Sequence, residues 1–285
     1  MKILLVSAVA LLFTLSAFAQ RSDGSTKSLL NAEKDFQKAL TKNGEKEAYE
    51  DFTLSDGLVF RPNPINAKKF YQDGNQSNQD LVRNPNMAMS SRSGDFGFTT
   101  GSYELGSTNA QYGQYLSIWK TDNEKWKLAM DLETKSNKPL NNVDNKFIEP
   151  KDHFVPKFIN DKEIKAGKDI IVTTEKTLNT LLKTHGVIAF SGFLAKNPRL
   201  IFPGREPMNG TAEIVSFYSN TVDKINFRNA GVDKSLGSDL AYTYGTATVD
   251  YKADLRESFN YVFVWQRAAD FSWNLLVQAY VPAER

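Results

Sequence analysis

Between Ser28 and Leu40 the apolar residues Leu29, Leu30, Ala32, Phe36, Ala39 and Leu40 recur at the spacing of one helical face, with Lys and Glu between them. This predicts an amphipathic helix. Asn43-Gly44 ends it with a pair that tolerates left-handed backbone, and Ala48, Tyr49 and Phe52 mark a second short helix over Glu45 to Phe52. Leu58-Val59-Phe60 reads as a short strand and the region around Phe70 as a helical piece. Asp73 to Met89, rich in Asn and carrying Pro85, reads as an irregular surface loop. The period then changes to two. Phe96, Phe98 and Thr100 alternate with Gly97, Thr99 and Gly101, and Tyr115, Ser117 and Trp119 alternate with Leu116 and Ile118. Helices first and strands afterwards predict an α+β unit in which an antiparallel sheet curls over helices on one face.

The whole pattern occurs twice. YLSIWKTDNEKWKLAMDLE from Tyr115 answers to YVFVWQRAADFSWNLLVQAY from Tyr261, and the chain's four tryptophans are Trp119 and Trp126 in one copy, Trp265 and Trp273 in the other. At one common offset Glu33-Lys34 falls on Glu175-Lys176, Asn43-Gly44 on His185-Gly186, and Leu58-Val59-Phe60 on Leu200-Ile201-Phe202. Phe70-Tyr71 answers to Phe217-Tyr218, Asp95-Phe96 to Asp239-Leu240 and Gly101 to Gly245 after short insertions. A repeat this long implies two homologous domains rather than solenoid units. The expected division is a leader over 1–19, a first domain over 27–135, a linker over 136–168 and a second domain over 169–285. The linker is rich in Asn, Lys, Asp and Pro, and its scattered Phe147, Ile148, Phe154, Val155 and Phe158 predict that it lies along a domain surface.

Composition narrows the function classes. With 285 residues, 41% hydrophobic and 24% charged, the chain has the makings of two folded cores. Its 35 basic and 33 acidic residues are well mixed and advertise no face for nucleic acid. Lys2, the apolar run from Ile3 to Phe18 and Ala17-Phe18-Ala19 form an n-region, an h-region and a small-x-small cleavage site, so export to a bacterial periplasm or medium is expected. No other run suits a membrane span. The absence of cysteine leaves neither disulfides nor a zinc set of the usual spacing, and no GxGxxG or GxxxxGK[ST] indicates a nucleotide cofactor. No cofactor and no metal are therefore expected.

The hairpin Gly113-Gln114-Tyr115-Leu116-Ser117-Ile118-Trp119, a charged turn, then Trp126-Lys127-Leu128-Ala129-Met130-Asp131, preceded by the strand at Leu58 and the Phe70-Tyr71 pair, resembles the SnoaL-like branch of the nuclear transport factor 2-like superfamily. The resemblance covers about 28–134 and 172–281 and is closest to exported members of uncharacterised activity. It implies two tandem cone-shaped half-barrels, each leaving a cavity at its open end. The superfamily includes steroid isomerases, polyketide cyclases and dehydratases, so the fold does not fix the reaction.

Asp131 is the candidate catalytic residue, since an acid between Met130 and Leu132 can have the raised pKa that acid/base chemistry needs. Period two complicates this. Trp126, Leu128, Met130 and Leu132 share one face and Lys127, Ala129, Asp131 and Glu133 the other, so Asp131 points outward if the apolar face is concave, unless a bulge reverses it. The second copy has Gln278 there, which limits catalysis by that residue to one domain. Candidate ligand contacts are Arg61, Tyr103, Tyr115 and Trp119 in the first half and Arg205, Tyr244, Tyr261 and Gln278 in the second, with Arg205 read as the counterpart of Arg61. Half-buried sheet tyrosines and cross-strand tryptophan packing account for many of the same residues. His185 at a helix end suits the last helical carbonyls. Three functions stay open: a binding protein for a small apolar or amphipathic molecule, an isomerase- or dehydratase-type enzyme using Asp131, and an interaction module built as an intramolecular pseudo-dimer of the two domains.

Overall fold

A computed structural model of the chain describes residues 22–284 apart from 76, 78, 79, 108 and 141–144, and the expected signal peptide lies outside the described residues. The first half comprises α1 (Thr26–Asn43), α2 (Glu45–Phe52), β1 (Thr53–Phe60), β2 (Pro64–Asn66), α3 (Ala67–Gln72), β3 (Leu81–Ser90), β4 (Phe96–Leu105), β5 (Gln111–Asp122), β6 (Lys125–Ser136) and β7 (Lys146–Ile148). The second comprises α4 (Asp161–His185), a 3-10 turn (Val187–Gly192), β8 (Leu194–Ile201), β9 (Met208–Asn209), α5 (Thr211–Thr221), β10 (Val222–Lys234), β11 (Leu240–Tyr251), β12 (Arg256–Arg267) and β13 (Trp273–Pro282).

Each half is an α+β half-barrel. The sheet orders are β2-β1-β6-β5-β4-β3-β7 and β10-β11-β12-β13-β8-β9. The long strands are antiparallel as expected, but β1 joins β6, β8 joins β13 and β7 joins β3 in parallel, so both sheets are mixed. The stretch from Leu81 is a strand rather than a loop. Its Asn and Pro sit at a bulge between Pro85 and Met87, where a proline does not interrupt the ladder. β10 carries a matching bulge between Asn229 and Gly231. These bulges explain Gly101 and Gly245: a Cβ would lie 2.0 Å from Asn84 O at the first and 2.1 Å from Arg228 O at the second.

Apolar side chains fill three layers. Leu29, Phe36, Leu40, Tyr49, Tyr71, Tyr115, Trp119 and Leu128 pack between the helices and the first sheet, and Ile171, Leu178, Leu182, Phe190, Tyr218, Tyr261, Trp265 and Leu275 do so in the second half. The third layer lies between the two sheets, joining Phe96, Phe98, Ile118, Met130 and Leu132 to Leu240, Val262, Val264, Val277 and Ala279. Each sheet is thus covered on both faces. Burial at roughly 1.5–3 kcal/mol per large side chain makes the shared layer a major source of cohesion between the halves.

Part of the stretch after β6 is tied to the first half, although Phe147, Phe154, Val155 and Phe158, expected to lie along a domain surface, are exposed. β7 extends the first sheet, and the Glu149 carboxylate accepts from the backbone N–H groups of Thr26 and Lys27 at 2.8 and 3.0 Å, at the positive end of α1. α4 begins at Asp161, within the stretch read as linker, where Asn160 caps it by accepting from Glu163 N.

Candidate functional site

Glu33 lies in the apolar stripe of α1, between Leu29 and Phe36, and only 1% of it is exposed. The sheet supplies its counter-charge. Arg83 on β3 turns inward with Nε 3.2 Å from Glu33 Oε1 and Nη1 3.1 Å from Asp131 Oδ1. Its guanidinium lies 3.7 Å from the centre of the Tyr115 ring, a cation–π contact. Asp131 also accepts from Ser117 Oγ at 2.6 Å and from Tyr49 OH at 2.6 Å. Ser117 in turn accepts from Arg83 Nη2. Thr99 Oγ1 donates to Glu33 and accepts from Trp119 Nε1 at 2.9 Å.

The network reaches outward through Arg61, just after β1. Its Nη2 lies 3.5 Å from Asp131 Oδ2 and 3.2 Å from Glu133 Oε2, and donates to Tyr49 OH at 3.1 Å and Tyr71 OH at 3.3 Å. Arg83 and Asp131 are sealed, whereas the Arg61 and Glu133 side chains are 18% and 15% exposed. The other Glu133 oxygen, Oε1, has no hydrogen-bond partner among the described residues. The accessible end of the cluster is therefore Arg61–Glu133.

Asp131 faces this cluster because β6 slips in register. Ile118 pairs with Met130 but Trp119 with Leu128, leaving Ala129 as a bulge. Before the bulge Trp126 and Leu128 face the helices; after it Asp131 and Glu133 do, while Met130 and Leu132 join the layer between the sheets. The unbroken period-two expectation, which turned Asp131 away from the apolar concavity, is corrected on this ground. β13 repeats the device at Leu276, between the Val264–Val277 and Trp265–Leu275 pairs.

Burial works against ionisation of Asp131, but Arg83 and Arg61, with the Ser117 and Tyr49 hydroxyls, outweigh it and hold the carboxyl below the usual range. Burial pushes Glu133 up. Arg61 counters this in part, and the charge of neighbouring Asp131 adds to the rise. Glu45 on α2 is likewise raised by burial. Asp131 is thus held as an anion with both oxygens engaged, and Glu133 keeps its proton to higher pH than an ordinary glutamate.

The second half keeps the frame but, of the charged residues, only the glutamate. Pairing places Asp131 opposite Ser117 and Val59, and Gln278 opposite Phe263 and Leu200. Arg83 N donates to Gln37 Oε1 as Phe227 N donates to Asn179 Oδ1, which makes Phe227 the equivalent of Arg83. The Tyr49–Tyr71 stack at 4.2 Å is matched by Phe190–Tyr218 at 4.2 Å. Glu175 remains, accepting from Tyr261 OH and lying 3.3 Å from Asn229 Nδ2. With the 3-10 turn replacing α2, the strand match moves by one residue from the expected alignment, so Val59 corresponds to Leu200 and Arg61 to Phe202. Phe202 packs on Tyr280 at 5.4 Å where the first half has Arg61–Glu133.

The other candidates divide accordingly. Tyr103 is buried on the helix side of the first sheet; Tyr115, Trp119, Tyr261 and Gln278 are interior, with Gln278 accepting from Tyr218 OH at 2.8 Å. Arg205 does not correspond to Arg61: its guanidinium lies 5.1 Å from the Phe217 ring, in a cleft rimmed by Phe202, Tyr251 and Pro282. Tyr244 lies outside the cone, packed against the layer between the sheets, 6.3 Å from Phe60. Reasoning from the sequence missed Glu33, Tyr49, Arg83, Ser117 and Glu133. The signal for Glu33 was present, since an acid interrupts the apolar stripe at the same place in α1 and α4.

No family model matches the chain, and no curated protein matches it. Solved structures are similar to part of it. A ketosteroid isomerase-like protein from Erwinia carotovora matches 44% of this chain and 100% of its own, with 17% identity and a TM-score of 0.37. A nuclear transport factor 2-like protein from Salmonella enterica matches 42% and 94%, with 14% identity and a TM-score of 0.35. An NTF2-like protein from Cytophaga hutchinsonii matches 44% and 100%, with 17% identity and a TM-score of 0.34.

Proposed function

We propose that the protein is an exported, two-domain member of the NTF2-like superfamily in which the first half-barrel binds a small amphipathic molecule and the second is its structural partner. The observation that carries this reading is the unequal pair Arg61–Glu133 and Phe202–Tyr280. One end of an otherwise sealed charged cluster is accessible in the first half, and the same place in the second is packed with rings. A polar head group would meet the partly exposed Arg61 guanidinium and the Glu133 side chain there. Native mass spectrometry of protein purified from its own source tests it. A co-purifying small molecule is expected in the wild type and in Arg205→Ala, and is expected to be lost in Arg61→Ala and Glu133→Gln that keep the wild-type circular dichroism. No bound molecule, or retention in both variants, overturns the reading.

An acid/base enzyme is the second reading, and here Glu133 is favoured over Asp131. A proton-transfer group needs an oxygen free for substrate and a pKa near the working pH. Glu133 is partly exposed and raised, with Oε1 buried but uncommitted, whereas Asp131 is sealed and both its oxygens are taken.

The reciprocal contacts of two turns support the pseudo-dimer. Asp95 accepts from Leu236 N at 3.0 Å, and Asp239 accepts from Arg92 N at 2.8 Å. Within its own turn each aspartate also accepts from a serine hydroxyl, Ser91 and Ser235 respectively. Like contacts exchanged across one interface are the mark of an isologous arrangement.

A further inference from the structure

Arg199 on β8 is 1% exposed, and its side chain lies on the Ile201 side of the strand, toward the layer between the two half-barrels. A guanidinium removed from water ordinarily has a carboxylate beside it, because an unpaired buried charge costs several kcal/mol. Every buried or half-buried arginine of the Glu33–Asp131 cluster follows that rule. Arg199 does not. Its Nε donates to Asn209 Oδ1 at 3.0 Å, its Nη1 donates to Asn86 Oδ1 across the seam, and Nη2 has no partner among the described residues. Both partners are neutral amides. Burial alone pulls its pKa down to about 10, with only the distant Tyr115 acting the other way.

The surroundings are set to hold the guanidinium in place. Asn209 is fixed by its own contacts, donating Nδ2 to Pro207 O at 3.2 Å and its backbone N–H to Glu213 Oε2 at 2.8 Å. Asn86 sits at the β3 bulge, between register positions Pro85 and Met87, which brings its side chain to the seam. The first half has Leu58 in the place of Arg199, so the charge is not a general requirement of the frame. One positive charge, held by residues of both halves and with one N–H edge uncommitted, is the arrangement of an anion receptor.

We propose that Arg199, with Asn86 and Asn209, forms an anion site in the seam between the half-barrels that takes a small monovalent anion, a halide or the carboxylate of a small acid. Occupation would neutralise the buried charge and tie Asn86 of the first half to β8 of the second, so it would stabilise the folded chain by mass action.

Thermal unfolding of the purified protein at constant ionic strength tests this, with sodium gluconate as the bulky reference and chloride, bromide or formate as ligand. A saturable rise in Tm of about 3 °C or more is expected with the small anions. Halides acting alone assign a halide site, and formate acting alone assigns a carboxylate site. Arg199→Met is expected to lose the dependence, and Arg228→Met, at an exposed strand position, to keep it. Should Arg199→Met fail to fold, bromide-soaked crystals of the wild type decide the matter through anomalous scattering beside Arg199 Nη2. Equal Tm in all four salts, an unchanged dependence in Arg199→Met, or no bromide at Nη2 overturns the proposal.

Discussion

Asp131 and Gln278 hold equivalent positions on β6 and β13, and each accepts a hydrogen bond from a buried tyrosine, Tyr49 at 2.6 Å and Tyr218 at 2.8 Å. Gln278 stands between Phe263 and Leu200, whereas Asp131 is met by Ser117 and two arginines. The same frame therefore tolerates either a neutral or an ionic filling.

Asp131→Asn removes one of the two anions beside Arg83 and leaves Glu33 as its remaining buried counter-charge. A loss of about 3–5 kcal/mol is expected from urea unfolding at pH 7, the cost of breaking one side of a buried pair. Arg83→Met combined with Asp131→Asn is expected to cost less than Asp131→Asn alone. Glu175 shows why: a buried glutamate can be held by hydroxyl and amide donors without an arginine. A double variant that is the less stable of the two would refute this account of the pair.

The acidic groups give opposite pH dependences. Asp131 is held below its ordinary value of 3.8, so its contribution to stability is present above that pH and is lost as pH falls through the folded value. Glu175 is raised above 4.5 by burial, although hydrogen bonds from Thr243, Tyr261 and Asn229 oppose the rise. Its contribution is therefore full below pH 4.5 and declines as pH rises through the folded value. Glu175→Gln should gain stability relative to the wild type at pH 7, with the difference shrinking toward pH 4.5. Unfolding curves of the two proteins across that range measure it.

At the seam, Asp95→Ala should expose the Leu236 amide and Asp239→Ala the Arg92 amide, each in the half that was not mutated. Residue-resolved hydrogen exchange reads this directly, with a loss of about 1.5–3 kcal/mol in local protection for a bond to a charged acceptor. Deprotection confined to the mutated half would contradict the exchange of contacts.

Ile118 is fully buried in the layer shared by the sheets. Ile118→Ala is expected to cost about 2–5 kcal/mol and to lower the unfolding midpoint of both halves together. Tryptophan fluorescence can follow each half, using Trp119→Phe/Trp126→Phe to silence the first and Trp265→Phe/Trp273→Phe the second. Separate midpoints would mean that the layer does not couple the halves.

The two α+β half-barrels were legible, and α1, α2 and the alternating strands were so because they rest on local periodicity; period two correctly put Tyr115, Ser117 and Trp119 on one face. The face of Asp131 was not legible, because one extra residue inverts everything that follows it. The trace of the slip is visible afterwards in the adjacent apolar residues Ala129-Met130 and Leu275-Leu276-Val277, where strict alternation fails. Arg83 was hidden for a different reason: its strand carries Asn84, Pro85 and Asn86, and only the neighbouring strand's Gly101 accommodates the bulge they form. The counterpart of Arg61 was misread because a helix and a 3-10 turn of different length precede the strands in the two halves.

Joining two half-barrels in one chain changes which residues can be afforded inside them. In an assembly of identical subunits, each buried acid and each buried arginine is present in every copy, and its desolvation recurs with it. Here the two interiors are encoded separately. Arg83 and Asp131 need be dehydrated once, while Phe227 and Gln278 stand in their places in the opposite interior, where of the charged residues only Glu175, the match of Glu33, is kept. Sequence drift can then act on one interior alone, without the change being copied across the seam.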